Sequence, residues 1–205
     1  MGLDKSIMAD GFEPIFNPDS EPQPESESEC AQLLTDIIIE YLGDVELAAP
    51  TAPGIGPIPA APSPVPGPDP AFSATQKPTP VVPVDANAST IQSGLEGAMM
   101  TNRNTPTKSG WAQADSAFIS YVGASFSAWQ EVGGYMFTGA TAPGTIALEP
   151  VMSEESSDPA DIAAKLADHI HTFFTTCIFT GAYQKPPPPP VGPFVGPAPH
   201  VSPLE

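Results

Sequence analysis

Positive charge is what this sequence has least of. Six Lys and Arg stand against 24 Asp and Glu, for a net charge of −18. Residues 1–50 hold twelve acids and one base, Lys5. A chain with so few cations cannot displace the counterions of a phosphate backbone, so direct nucleic-acid binding is excluded as its role. Core-forming residues are also scarce: Leu, Ile, Val and Phe number 43 of 205, close to the floor of about a fifth for a packed domain. Cys30 and Cys177 are the only cysteines. They make neither a disulfide framework nor a zinc spacing, and they read as reduced thiols. No apolar run approaches the roughly 18 residues of a membrane span, and the N-terminal stretch lacks the apolar core of a signal peptide. The P-loop, G-x-G-x-x-G, G-x-S-x-G and H-E-x-x-H signatures are all missing.

What the chain has in excess is proline. There are 29, beside 17 Gly and 17 Ser, a composition more usual for low-complexity chain than for a compact domain. Residues 50–83 hold twelve of the prolines, and Pro186–Pro190 run consecutively. Proline fixes φ and lacks a backbone donor, so residues 50–83 are excluded from helix and from central strand and should be extended.

Between the proline-rich stretches the apolar residues recur at helical spacing. Residues 29–42 place Leu34, Ile37, Ile38, Tyr41 and Leu42 on one face. Ser26 or Ser28 can cap that helix, and Gly43 ends it. Residues 88–101 predict a weaker helix, interrupted by Gly94 and Gly97. Residues 111–132 carry the longest pattern, with Trp111, Ala114, Phe118, Tyr121, Val122, Phe126, Trp129 and Val132 forming a broad stripe. Residues 159–174 predict a third main helix, with Asp158 as N-cap, Pro159 in the first turn and Ile162, Leu166, Ile170 and Phe173 on its face. Short strand-like exits are expected at 45–47, 135–138 and 177–179.

The three main units match one another. Leu34, Asp36, Ile38, Tyr41 and Leu42 align at constant offset with Leu166, Asp168, Ile170, Phe173 and Phe174. Phe137-Thr138-Gly139-Ala140 returns as Phe179-Thr180-Gly181-Ala182, and Thr51-Ala52-Pro53-Gly54 returns as Thr141-Ala142-Pro143-Gly144. The pattern is helix, short strand, Pro/Gly-rich extension, three times over. One such unit cannot bury its own apolar face, so the faces must meet each other or a partner. The unequal spacers exclude a regular solenoid.

Candidate chemistry is thin. Asp168, His169 and His171 form the one cluster that resembles a site. Helix positions two apart point to different sides, so the two histidines cannot readily chelate one metal. No nucleophile–base pair is visible, and a hydrolase built on His169 or His171 would lack the other roles catalysis needs. No cofactor is implied. The aromatic stripe reads as core in the broad sense, which includes a core shared between subunits; Trp and Tyr are also frequent in interfaces. The interface candidates are therefore Trp111, Phe118, Tyr121, Val122, Phe126 and Trp129, with Leu34, Ile38, Leu166, Ile170 and Phe173 on the flanking helices. The pentaproline suits a stiff spacer or a strip laid along a protein groove; an SH3-like groove is the alternative, with no flanking Arg to orient it.

The segment S-S-D-P-A-D-I-A-A-K-L-A-D-H-I-H-T-F-F-T-T-C-I-F-T-G, followed by P-P-P-P-P-V-G-P, resembles small virion-associated proteins of tailed bacteriophages. In those a helix of the form A-x-x-L-A-x-A-I-x-x-Y/F leads to a T-G segment and a Pro/Gly tail. The resemblance covers residues 153–199 best, 27–59 less and 111–149 least. It implies a structural role on a capsid, neck, tail or baseplate, and brings no active site. The expected architecture is mostly α with extended Pro-rich segments, non-globular, with three amphipathic helices each followed by a short strand-like exit. Its parts are an acidic arm (1–26), a helical unit (27–49), a Pro-rich strap (50–87), a central helical unit (88–149), a third unit (150–185) and a Pro-rich tail (186–205). The expected role is a non-enzymatic component of a phage particle that links or cements neighbouring subunits. It would sit in the virion, and in host cytoplasm during assembly. Its partners would be other virion structural proteins, in a homo- or hetero-oligomer without membrane. The alternative is a partly disordered Pro-rich adaptor that recruits SH3-like or other binding domains. A monomer of this composition is expected to melt broadly, with little cooperativity.

Overall fold

The computed structural model describes residues 3–43, 45, 55–57, 66–68, 78–80, 84–104, 109–126, 129–131, 135–153, 158–183 and 199–203. Among these the chain is mostly helical. Six helices occur: α1 (Lys5–Phe16), α2 (Glu27–Leu42), α3 (Ala88–Asn104), α4 (Trp111–Phe126), α5 (Leu148–Met152) and α6 (Pro159–Thr175). The expectation of three helices, each with its own strand-like exit, is thereby corrected. The exit placed at 45–47 falls, apart from Val45, outside the described residues.

Local chemistry sets the helix starts. The Asp4 carboxylate accepts from the Ser6 amide at 2.9 Å and opens α1. Ser26 caps α2 through the Glu29 amide, and the Glu29 carboxylate accepts in return from the Glu25 amide at 2.6 Å. This is close to a capping box, displaced by one residue. Asp158 caps α6 through Ala160, with Pro159 at the first helical position.

The first 26 residues, expected as an acidic arm, hold a docked helix. Met8 and Phe12, four residues apart and so on one face of α1, are both fully buried. α1 packs on α6 and α2. It approaches α2 closely at Gly11, where an added Cβ would lie 2.9 Å from the Ile37 side chain. Met8 and Phe12, set among acidic neighbours with Pro14 inside the same stretch, give too weak a period to announce this helix.

The helices bury one another within one chain. α2 packs on α3, α3 on α4, and α5 on α4 and α6. Leu34, Ile38, Tyr41, Leu42, Phe118, Tyr121, Val122, Phe126, Leu166, Ile170, Phe173 and Phe174 are all at most 4% exposed and belong to one cluster with Met8 and Phe12. The positions matched at constant offset share their environment: four pairs are buried, and the pair Asp36 and Asp168 is exposed. A non-globular chain whose helix faces wait for a partner is not what these helices form. With the faces mutually covered, the fold leads to a different expectation from a broad melt, namely one cooperative transition.

α3 and α4 form the closest pair. Gly94 faces Ala117 so tightly that a Cβ at 94 would stand 2.2 Å from the Ala117 Cβ. A Cβ at Gly110 would stand 2.5 Å from the Ala98 carbonyl oxygen. Gly94, one of the two glycines that weaken the helical pattern of residues 88–101, is thus part of what lets α4 approach. A 3-10 turn, Val84–Asn87, leads into α3 and is pinned to α4: the Tyr121 hydroxyl donates to the Val84 carbonyl at 2.7 Å, and the Asn87 amide to the Ser125 hydroxyl at 3.1 Å.

The pattern that ran to residue 132 stops at Phe126. Residues Trp129–Glu131 are a strand instead. In chain order the strands are β1 (Ile55–Pro57), β2 (Pro66–Pro68), β3 (Pro78–Pro80), β4 (Trp129–Glu131), β5 (Tyr135–Thr141), β6 (Ile178–Tyr183) and β7 (Pro199–Pro203). β1 and β2 pair with each other, and β3 to β7 form a second antiparallel sheet in that order. Pairing with β3 gives the backbone of 129–131 a ladder in place of helix bonds, which is why a stripe of helical period was read too far. Both edges of the larger sheet are proline-bearing strands, where a missing donor is tolerated. The two copies of F-T-G-A lie side by side in β5 and β6, with Ala140 opposite Phe179 and Phe137 opposite Gly181 across an irregular step.

Two glycine replacements test the close helix pair against simple helix propensity. Gly94→Leu forces the α3–α4 contact apart and should lower unfolding free energy by about 1–3 kcal/mol. Gly123, with nothing within 4 Å of an added Cβ, sits on the exposed side of α4. Gly123→Ala should raise stability by up to about 1 kcal/mol. Urea denaturation of both variants measures the opposite signs.

Candidate functional site

The titratable side chains gather where α1, α2 and α6 meet. α6 carries Asp168 and His171, three residues apart and on one side of the helix. The Tyr41 hydroxyl of α2 lies 2.8 Å from His171 Nδ1, and the two rings meet edge to face with centroids 6.0 Å apart. Lys5, in the first turn of α1, reaches Asp168 Oδ1 at 2.5 Å. Asp4 adds its charge from the same end of α1.

Burial tunes these groups unequally. Tyr41 is completely buried, and desolvation pushes its hydroxyl well above the usual phenol range. His171 is lowered from the ordinary histidine value, first by desolvation and then by the Lys5 charge; Asp168 and Asp4 pull the other way. It is therefore neutral at pH 7. In the tautomer with the proton on Nε2, the Tyr41 hydroxyl donates to Nδ1. Asp168 is held below the usual carboxylate range, chiefly by its hydrogen bond from Lys5. Both members of the Lys5–Asp168 pair are more than half exposed, so water screens it and it contributes little to stability.

His169 points elsewhere. Its Nδ1 lies 3.5 Å from the Ile146 carbonyl oxygen, at the outer limit of a hydrogen bond. The two histidines thus serve different sides of α6. Among the described residues no group of three or more His, Cys, Asp and Glu could hold a metal ion.

The interface candidates mostly lie inside. Trp111, Phe118, Tyr121, Val122, Phe126, Leu34, Ile38, Leu166, Ile170 and Phe173 are all buried in the core of the single chain. A side chain already covered by its own fold presents no surface to a neighbour, so these ten are internal packing. Trp129 belongs to β4, and its side chain lies outside what is described. The exposed large apolar residues are few among the described ones: Leu33, Met100 and Ile178.

Cys30 and Cys177 are free thiols. Cys177 is fully buried, its Sγ 3.3 Å from the Phe173 carbonyl oxygen, and burial pushes the thiol up to about 12. Such a group is inert as a nucleophile. Sequence reading found Asp168, His169 and His171 but not their partners. Lys5 and Tyr41 lie 163 and 130 residues from the groups they meet, and nothing local announces such contacts.

No known protein family matches the chain, and neither does any curated protein or any solved structure. Among the described residues no helix is long and apolar enough to cross a membrane.

Three substitutions check this junction. Tyr41→Phe should cost about 0.5–1.5 kcal/mol, the net worth of one hydrogen bond. Lys5→Ala should cost less than about 1 kcal/mol, as an exposed pair does. In a Cys30→Ser background, Cys177 should resist a thiol reagent at mildly alkaline pH until urea unfolds the chain.

Proposed function

We propose that the chain is a non-enzymatic structural component of a bacteriophage particle, one that ties neighbouring subunits together. The observation that carries this reading is an alternation along one chain. A close-packed helical core is interleaved with sequence that holds twelve prolines over residues 50–83 and five in a row at Pro186–Pro190. The helical faces are spent on the core. Docking to neighbours therefore falls to the proline-rich segments and to the acidic helix surfaces rather than to the aromatic stripe. A proline-rich strip loses less freedom on docking than a flexible chain does, because its backbone is restricted beforehand.

The electrostatics agree with protein partners. Each of the three described cations, Lys5, Arg103 and Lys165, already holds a carboxylate of its own chain. The charge that α1 and α2 offer outward is mostly Asp and Glu, suited to a basic protein surface and repelled by nucleic acid. The partners in this reading are other virion structural proteins, or further copies of the chain, and the location is the virion, with host cytoplasm during assembly. The position within the particle, whether capsid, neck, tail or baseplate, follows from the phage resemblance of residues 153–199 only as that set of choices. The pentaproline supports a second reading, an adaptor that recruits an SH3-like domain.

Mass spectrometry of washed, purified particles separates the two. Incorporation at a fixed copy number per particle is the expected result. Absence from particles, with free monomer binding an SH3-type domain through Pro186–Pro190, would replace the first reading with the second. Replacing Pro186–Pro190 with a Gly/Ser stretch of equal length, which leaves β7 in place, should weaken retention on the particle at low and at high salt alike, since no charges are involved.

A further inference from the structure

We propose that the Tyr41–His171 contact at the foot of α1 is a pH-operated latch: protonation of His171 loosens α1 from α6 and uncovers the apolar face that carries Met8 and Phe12. The geometry supplies three reasons. His171 is partly exposed, so a proton can reach it, whereas the Tyr41 ring it meets is fully buried. Neutral His171 offers Nδ1 as acceptor to the Tyr41 hydroxyl at 2.8 Å. Once protonated, both ring nitrogens are donors, and the buried hydroxyl proton loses its acceptor. The third reason is the neighbouring pair. Asp168 stands one helical turn before His171 and is already engaged by Lys5. A histidinium there draws on the same carboxylate and repels the Lys5 ammonium, so α1 loses part of its polar attachment at the same step.

Every charged or titratable group facing the ring is accounted for by element. α1 brings Asp4 and Lys5, α6 brings Asp168, and α2 brings Tyr41. The direction in pH follows from these. The folded chain favours neutral His171, below its ordinary value of 6.5. The stability it lends is therefore fully present above that value, and it declines as pH falls through 6.5 toward the lower folded value. Asp4 and Asp168 are held below their ordinary 3.8 and stay ionised across this window, so the change belongs to the histidine. α1 is the element released because it carries Lys5, the group that a charged His171 repels; its apolar hold is Met8 and Phe12, fully buried, with Ile7, Ala9, Ile15 and Phe16 partly buried against the same core.

The test uses the full chain with His169→Gln and His200→Gln, so that His171 alone titrates. NMR follows the His171 ring while hydrogen exchange, normalised for intrinsic rates, follows α1 amides against α3 and α4 amides from about pH 7.5 to about pH 5. The expected result is a His171 midpoint below the ordinary value and a several-fold loss of protection confined to α1. His171→Gln, which keeps an acceptor for Tyr41 and cannot titrate, should hold α1 protection flat over the same range. Should that variant not fold, Tyr41→Phe serves: with no hydroxyl to lose its acceptor, the His171 midpoint should rise and the pH-dependent loss of α1 protection should shrink. The proposal is overturned if α1, α3 and α4 lose protection together, or if His171→Gln keeps the same pH response. It is likewise overturned if nitrogen shifts place the proton on Nδ1 of the neutral ring, since the bond would then survive protonation.

Discussion

Phe174 is the side chain on which the helical packing turns. Its ring sits 6.2 Å from Phe118, 6.3 Å from Tyr121, 6.4 Å from Phe126, 6.4 Å from Tyr41 and 5.3 Å from Phe173, measured between centroids. It therefore connects α2, α4 and α6 at one point. Most of these rings meet tilted or edge to face, arrangements that add about 0.5–1.5 kcal/mol per pair beyond burial. In a chain with so few aliphatic residues, an aromatic centre of this kind replaces breadth of core with concentration. Removing the Phe174 ring would leave a cavity bordered by three helices, a change that costs about 3–5 kcal/mol in comparable cores.

From that centre the rest of the bundle is arranged by small residues and caps. Gly94 and Gly110 admit α4 against α3. Asp4, Ser26 and Asp158 fix where α1, α2 and α6 begin. Tyr121 and Tyr41 each place a ring in the core and a hydroxyl on a partner, Val84 O for one and His171 for the other. The second of these contacts brings the interior within reach of the solvent proton, because His171 stands between the core and the water. Apolar helix faces build the bundle, and proline-bearing strands pair with one another or form the edges of the larger sheet.

Much of this was legible in the residues, and the misses have physical causes. α6 is stated by Asp158-Pro159 and by a face from Ile162 to Phe173, so its bounds came within a residue. α2 was equally plain. α1 was hidden because its apolar residues, among them Ile7, Met8, Phe12, Ile15 and Phe16, are interrupted by acids and by Pro14, a stretch that reads as an arm. The end of α4 was misplaced because Trp129 and Val132 continue the helical period, while the backbone of Trp129–Glu131 pairs with Pro78–Pro80, a long-range event that spacing cannot express. The aromatic stripe reads as apolar from its spacing, with core and interface both open; only the packing of α3, α5 and α6 against α4 decides that it faces inward. The cluster at Asp168 and His171 was visible, but its meaning lay in Lys5 and Tyr41, each remote in sequence.

The central claim is that six helices share one core within a single chain, so that they unfold together. Equilibrium urea unfolding of dilute monomer measures this most directly, followed at once by far-ultraviolet circular dichroism, by Trp111 fluorescence in a Trp129→Phe background, and by the His171 ring signal. The account predicts one midpoint common to all three signals and independent of protein concentration. Separate midpoints, with the His171 signal and the Trp111 signal lost at different urea concentrations, would show helices that fold as independent modules and would contradict it.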